Sequence, residues 1–177
     1  MGEGGMMNAC GIDPGLSGAV AFIGEDPAEA LVFDMPTVMT TTGRRQIDAA
    51  ALADLLRQHG PALTLVERVS ARPGEGAVGA FSFGHTLGSI VGVLGALALP
   101  YSLVAPVAWK RKAGLPARAP KEASMQACVC VLPHTRPHLT MVKHHGRAEA
   151  LLIALQARSR LLVVPDEDGR KGTPGGG

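Results

Sequence analysis

The sequence predicts a single α/β domain in which a five-stranded mixed sheet is flanked by helices. Two observations support this prediction. Short apolar runs bounded by Gly and Pro alternate with longer segments whose apolar residues recur at helical spacing. Their order, three strands, a helix, a strand, a helix, a strand and then helices, is typical of a sheet covered on its faces. The length of 177 residues suits one domain.

Five short segments are predicted to be strands. Ala9–Asp13, Ala19–Ile23 and Ala30–Met35 come first, and the turn residues "PGLSG" between the first two predict an antiparallel hairpin. Ala62–Glu67 is apolar almost throughout, as expected for a strand covered on both faces. Tyr101–Ala105 is the fifth strand. A leading hairpin followed by crossover units is the pattern of the ribonuclease H-like fold.

The helices are predicted from apolar spacing and from start and stop residues. One covers Ile47–Gly60, with Asp48 near its start and Gly60 at its end. A long, glycine-rich helix is predicted over Ser82–Leu99. Further helices or turns are predicted over Pro106–Leu115, over Pro120–Leu132 and within Val142–Leu162.

The remaining segments are predicted to be connections or ends. Polar residues at Thr37–Gln46 predict a mobile loop, and Gly74–Gly79 is a glycine-rich connection. Residues 1–8 are expected to be a flexible N-terminus and residues 165–177 a disordered tail. The folded domain is therefore expected to span residues 9–164.

The charge is distributed unevenly along the chain. Between Ala105 and Arg147 there are eight Lys or Arg residues and one acid, Glu122, although the net charge of the whole chain is only +2. The rest of the chain carries nine bases and fourteen acids. A basic segment on an otherwise acidic protein favours a polyanionic partner such as nucleic acid over a merely solvated surface.

Other classes of protein are disfavoured. Three cysteines, Cys10, Cys128 and Cys130, do not make a disulfide framework, so a reducing compartment is expected. The longest apolar run, Leu87–Leu99, is shorter than the roughly 20 residues of a bilayer span, so no membrane partner is expected. The first residues show no targeting pattern.

Four acidic or imidazole side chains stand where a sheet protein would rather place apolar ones. Asp13 ends the first strand and Glu67 ends the fourth, while His145 and Glu149 are four residues apart on one helix face. If the two strands are parallel neighbours, their acids emerge at the same edge of the sheet. A helix that lays its His and Glu against that edge would complete a four-ligand cluster.

Such a cluster predicts a catalytic metal centre. Crowded carboxylates raise each other's pKa unless a cation lies between them. Oxygen ligands with one imidazole suit Mg²⁺ or Mn²⁺ better than Zn²⁺. Two such ions about 4 Å apart can hold a phosphodiester, activate a water and stabilise the leaving 3′ oxygen. Each residue alone also has an ordinary interpretation, such as a turn at Asp13 or an ion pair at Glu67, and only the joint pattern favours catalysis.

Five motifs in this order resemble the RuvC-type Holliday-junction resolvases. They are "GIDPGLSG" (11–18), "LVERV" (65–69), "FSFG" (81–84), "PVAWK" (106–110) and "HHGRAEALL" (144–152). The last motif resembles the chloroplast resolvases of plants and algae in particular. The first motif alone is also found in sugar kinases and actin-like ATPases, so the ordered set carries the resemblance.

The resemblance implies a function and a set of site residues. Asp13, Glu67, His145 and Glu149 match the metal-binding catalytic set, with two Mg²⁺ ions per active site, for which Mn²⁺ would substitute, and with no small-molecule cofactor. Bacterial RuvC has a second carboxylate where this chain has Gly146, so the preceding histidine is expected to replace it. The implied function is a structure-selective endonuclease that cuts two opposing strands of a four-way DNA junction symmetrically, as a homodimer.

Further residues are candidates for DNA binding or dimer contact. Phe81 and Phe83 could stack on unpaired bases or belong to the core. A glycine stripe on the predicted long helix could face a second copy or the protein's own sheet, and Trp109 is interpreted as a packing anchor. The candidate phosphate contacts are Arg72, Lys110, Arg111, Lys112, Lys121, Lys143 and Arg147, with His144 as a further possibility.

Three other functions stay open at this point. The first motif also suits an actin-like phosphotransferase, although such proteins use two domains of this kind. A non-catalytic junction-binding protein and an RNA-directed nuclease of the same fold are also compatible with the sequence. For location, the double histidine favours the chloroplast stroma or nucleoid over a bacterial or phage-host cytoplasm.

Overall fold

A five-stranded sheet and five α-helices make up most of the computed structural model, which describes residues 8–68 and 76–163. In chain order the strands are β1 (Ala9–Asp13), β2 (Ala19–Ile23), β3 (Leu31–Asp34), β4 (Thr37–Met39), β5 (Arg45–Ile47), β6 (Leu63–Glu67) and β7 (Tyr101–Val104). The α-helices are α1 (Ala49–His59), α2 (Ala77–Ala96), α3 (Pro106–Lys112), α4 (Lys121–Val131) and α5 (His145–Leu162).

The main sheet has the order β3-β2-β1-β6-β7. The first three strands pair antiparallel, whereas β6 lies parallel to β1 and β7 parallel to β6. The predicted mixed sheet of five strands is therefore confirmed. Because β1 and β6 run in the same direction, with Ile12 opposite Val66, both strands end at the same edge of the sheet. Asp13 and Glu67 are the terminal residues at that edge.

The two faces of β1 are buried in different hydrophobic clusters, as the strand period of two requires. Cys10 and Ile12 pack with residues of α1 and α2, whereas Ala9 packs with residues of α5. On the α5 face, a Cβ added at Gly11 would collide with the backbone of Ala150 and Ala154. The helix therefore lies directly against the strand backbone at this position.

Two elements differ from their predictions. The segment predicted as a mobile loop, Thr37–Gln46, forms most of a small antiparallel hairpin, in which Gly43 takes a positive φ of 75° in the turn. Helix α2 begins at Ala77 rather than at Ser82, so the end of the predicted glycine-rich connection is helical. Helix α1 is confirmed, with the Asp48 side chain accepting from the amide of Ala51 and Gly60 at its left-handed end. The predicted flexible N-terminus and disordered tail fall almost wholly outside the described residues.

Helix α2 is the most exposed of the long elements. Its buried residues are Thr86, Ile90 and Leu94, which face the sheet and α1. With 20 residues and a mean hydropathy of 1.5, it is long and apolar enough to cross a bilayer. The apolar run considered in the sequence, Leu87–Leu99, is too short for this. The core helix of a soluble protein can have the same length and composition.

Candidate metal centre and nucleic-acid surface

Three carboxylates from three distant parts of the chain meet at one edge of the sheet. Asp13 at the end of β1, Glu67 at the end of β6 and Glu149 on α5 each offer an oxygen, and these oxygens lie within 4.8 Å of one another. All three residues are half-buried. No other group of three or more His, Cys, Asp or Glu ligand atoms comes this close within residues 8–68 and 76–163.

The close seating of α5 on the sheet brings Glu149 to the other two acids. A Cβ added at Gly146 would lie 2.8 Å from Oδ2 of Asp13 and 2.9 Å from the carbonyl oxygen of Ser17. These distances are shorter than real Cβ contacts, so any side chain at this position would push the helix outwards. Gly146 thus touches the Asp13 turn with its backbone, and Glu149 follows one turn later on the same side of the helix.

The crowding of charge changes the acidity of Asp13. Burial raises the pKa of this carboxyl from 3.8 to about 7, and the negative charges of Glu149 and Glu67 add to the rise. A hydrogen bond from the backbone of Gly15 and the positive charge of Lys121 oppose the rise in pKa. A divalent cation between the three carboxylates would reverse the balance, because it favours the charged form of each.

Two buried donors hold the other two acids. The Trp109 indole Nε1–H donates to Oε1 of Glu67 at 2.9 Å, and the Ser124 hydroxyl donates to Oε1 of Glu149 at 3.3 Å. Both donor residues are 1% exposed. Sequence reasoning assigned Trp109 to packing only and did not single out Ser124. The one feature of the sequence that pointed to the role of Trp109 was its expected packing in the core, because a buried indole N–H needs an acceptor.

His145 and His144 lie beside the carboxylates, not among them. The Nδ1 of His145 is 3.1 Å from the carbonyl oxygen of Val142, and the side chain does not join the group within 4.8 Å. His144 is buried, and its Nδ1 accepts from the backbone amide of Met141 at 3.3 Å. Burial lowers the pKa of His144, and the charges of Arg147 and Lys143 lower it further.

Arg147 contacts other parts of the protein through its guanidinium, and its side chain is 24% exposed. It donates to both carboxylate oxygens of Asp34, at 2.6 and 2.7 Å, and to the carbonyl oxygen of His138 at 3.0 Å. The hydrogen bonds to Arg147 lower the pKa of Asp34. The arginine predicted to contact phosphate therefore ties the first turn of α5 to β3.

The other predicted DNA contacts remain available at the surface. Phe81 is 76% exposed and Phe83 37%, so neither is a core residue. The ammonium of Lys110 lies 5.4 Å above the ring of Trp109. Arg111, Lys112, Lys121 and Lys143 are exposed. Arg72 lies outside the described residues.

Comparison with known proteins finds a sequence relative and several similar solved structures. The chain is 32% identical over 125 residues to the chloroplastic Holliday junction resolvase MOC1 of Chlamydomonas reinhardtii; the match covers 68% of this chain and 14% of that protein. The structure resembles Thermus thermophilus RuvC, alone (TM-score 0.57) and in complex with a Holliday junction substrate (TM-score 0.55). Each RuvC match has 20% sequence identity and covers 88% of this chain and 96% of RuvC. No family model matches the sequence.

The sequence match and the structural match agree with the site geometry. The RuvC comparison establishes the fold, since it extends over nearly all of both chains. The 32% sequence identity to the Chlamydomonas resolvase supports membership of the same family, which a shared fold alone does not show. On these grounds the chain belongs to the RuvC-type family of Holliday junction resolvases.

Proposed function

We propose that this protein is a metal-dependent endonuclease that resolves four-way DNA junctions by cutting two opposing strands symmetrically. The observation that carries the proposal is the meeting of Asp13, Glu67 and Glu149 within 4.8 Å at one sheet edge. Support comes from a relative named as a Holliday junction resolvase and from RuvC solved with a junction substrate. The products would carry 5′-phosphate and 3′-hydroxyl ends.

The donor set fits hard divalent cations. Three carboxylates supply only oxygen, which suits Mg²⁺ or Mn²⁺. The pKa of Asp13 is raised first by burial and then by the charges of Glu149 and Glu67, so added positive charge would favour its ionised form. We therefore propose that Asp13, Glu67 and Glu149 hold two divalent ions. When bound, these ions would supply positive charge to the phosphodiester and lower the pKa of an attacking water.

His145 is retained in the proposal as a ligand of the second ion or as the residue that orients the water. A carbonyl oxygen can only accept, so the 3.1 Å contact with Val142 requires a proton on Nδ1 of the ring. In the neutral ring Nε2 then carries the lone pair. Metal-binding imidazoles commonly have this arrangement, with one N–H bonded to a backbone carbonyl and the other nitrogen facing the metal.

We propose that the DNA backbone lies along the Lys and Arg side chains near this edge of the sheet. Lys121 begins α4 and is close enough to the carboxylates for its charge to lower the pKa of Asp13. Lys110, Arg111 and Lys112 end α3, the helix that also carries the Glu67 partner Trp109. Such contacts would provide affinity and salt dependence without sequence preference. Lys143 would extend the same surface.

The proposed homodimer is supported by the outer face of α2. Gly84, Gly88, Gly92 and Gly95 are all exposed, and a Cβ added at any of them would meet nothing within 4 Å. The stripe therefore does not serve packing on the protein's own sheet. An exposed glycine stripe beside apolar side chains such as Phe81 lets a second helix approach closely, and a symmetric pair would present two metal centres to two strands.

The location is proposed from the relative. Because the Chlamydomonas protein is chloroplastic, we propose that this protein acts in the chloroplast stroma or nucleoid. A bacterial or phage-host cytoplasm is the alternative.

The test uses an immobile four-way junction with each strand end-labelled in turn, in Mg²⁺, Mn²⁺ or chelator. Wild type is compared with Asp13→Asn and Glu149→Gln. The control is Glu29→Gln, an exposed acid beyond the end of β2, away from the metal centre. We expect symmetric nicks with either ion, none in chelator, and none with the two site variants, which should still bind the junction.

Other outcomes would replace the proposal. Junction binding with no ion-dependent nicking, unchanged by Asp13→Asn, would indicate a non-catalytic binding protein. Cleavage of an RNA version in preference to the DNA junction would indicate an RNA-directed nuclease.

A further inference from the structure

We propose that Trp109 is a positioning residue for Glu67: its indole N–H fixes the carboxylate in the orientation in which it binds a divalent ion. This inference rests on the proposed function, since it concerns a ligand of the proposed metal centre. The contact that carries it is the 2.9 Å hydrogen bond from Nε1 to Oε1, formed between residues 42 positions apart.

The sheet topology brings the indole to this acid. Strands β6 and β7 are parallel neighbours, and Glu67 pairs in register with Val104, the last residue of β7. The chain then enters α3 at Pro106, so Trp109 lies within the first turns of a helix that begins beside Glu67. Its ring is 1% exposed and belongs to the hydrophobic cluster under α5. The position of the donor is thus set by the core and does not depend on a mobile surface side chain.

The chemistry of an indole suits this task. Its N–H only donates, so it cannot become a metal ligand itself. It carries no charge, so it holds the carboxylate without opposing a divalent cation, whereas a Lys or Arg in the same place would repel the ion. A buried donor left without an acceptor is costly, so rotation of the Glu67 carboxylate away from Trp109 is disfavoured. The bond therefore restricts the ligand before an ion arrives.

The chain contains one tryptophan, which allows an atom-level test. Growth of a tryptophan auxotroph on 3-benzothienylalanine replaces the indole N–H of Trp109 by sulfur and leaves the ring shape nearly unchanged. The matched control is 5-fluorotryptophan, which keeps the N–H. Mn²⁺ binding is measured by calorimetry on both proteins without DNA. We expect the sulfur analogue to bind Mn²⁺ about 10- to 100-fold more weakly, the range typical of second-layer partners of metal ligands. Equal affinity in the two proteins would overturn the inference.

A second measurement decides the question if the sulfur analogue does not fold. The fluorotryptophan protein gives a single fluorine NMR resonance, which is followed during a Mg²⁺ titration. We expect it to shift along the calorimetric binding curve, and to stay unshifted in the Asp13→Asn variant at the same Mg²⁺ concentrations. A resonance that does not move while calorimetry shows saturation would overturn the role of Trp109 and leave the metal centre intact. Absence of any divalent-ion binding to the wild type would instead overturn the proposed function, and this inference with it.

Discussion

Replacing Asp13 by Asn should make the metal-free protein more stable at neutral and alkaline pH. Burial of the wild-type carboxyl, together with the charges of Glu149 and Glu67, raises its pKa from 3.8 to about 7. One pKa unit corresponds to about 1.4 kcal/mol, so ionising Asp13 costs the metal-free fold up to about 4 kcal/mol. Asn is nearly isosteric and carries no charge, so the variant avoids this cost.

The sign of the pH dependence follows from which state binds more protons. Because the pKa of Asp13 is higher in the folded than in the unfolded chain, its contribution to stability is complete below about pH 4. That contribution is lost as the pH rises to about 7, the folded pKa. The stability difference between variant and wild type should therefore be small near pH 4 and largest at about pH 8.

The assay is thermal and urea unfolding in the presence of chelator at several pH values, with circular dichroism as the readout. At about 2–4 °C per kcal/mol for a domain of this size, a cost of about 4 kcal/mol means that the Asn variant should melt up to about 16 °C above wild type at alkaline pH. Saturating Mg²⁺ should raise the melting temperature of wild type more than that of the variant, because only the wild type keeps all three ligands.

Asp34 provides a control of opposite sign. Its pKa is lowered by Arg147, so its charged form stabilises the fold, and that contribution is present at neutral pH and lost on acidification. Asp34→Asn should therefore lower stability at neutral pH. An Asp13→Asn protein that is no more stable than wild type in chelator at alkaline pH would refute the argument that burial and the neighbouring carboxylates penalise the charged form of Asp13.

Three further predictions concern the seating of α5, the dimer and Glu149. Gly146→Ala should lower nicking and lower stability by about 1–3 kcal/mol, because its Cβ meets the Asp13 turn. Urea unfolding and the junction assay test this, and full activity would contradict it. Gly88→Glu should fold normally and be monomeric in light scattering, whereas Gly88→Ala stays dimeric; a dimeric Glu variant would exclude this face as the interface. Ser124→Ala should weaken Mn²⁺ binding about fivefold in calorimetry, by loss of roughly 1 kcal/mol, with Ser159→Ala unchanged as control.

Much of the fold was predictable because apolar runs and turn residues are local signals. The bounds of β1, β2 and α1 follow from the hairpin turn and from Asp48 and Gly60. The hairpin of β4 and β5 was missed because each strand has only three residues, too few to show an alternation of apolar and polar side chains. The start of α2 was missed because small residues before Phe81 resemble a connection and its first residue follows a glycine without a side-chain cap.

The cluster of three carboxylates was predictable only as far as strand ends and helix faces determine it. The parallel pairing of β1 and β6 was the assumption that brought Asp13 and Glu67 together, and it is confirmed. The roles of Trp109 and Ser124 depend on tertiary contacts between residues 42 and 25 positions apart, which no spacing rule conveys. The same holds for the pairing of Arg147 with Asp34, 113 positions away; the predicted DNA contact of Arg147 stays a prediction.

The placement of the three acids on β1, β6 and α5 has a consequence for the growing polypeptide. A nascent chain that has released β1 and β6 holds two of the carboxylates, and the third arrives only when α5 is synthesised and settles onto Gly11. The proposed nuclease activity would thus appear only once α5 has folded onto the sheet.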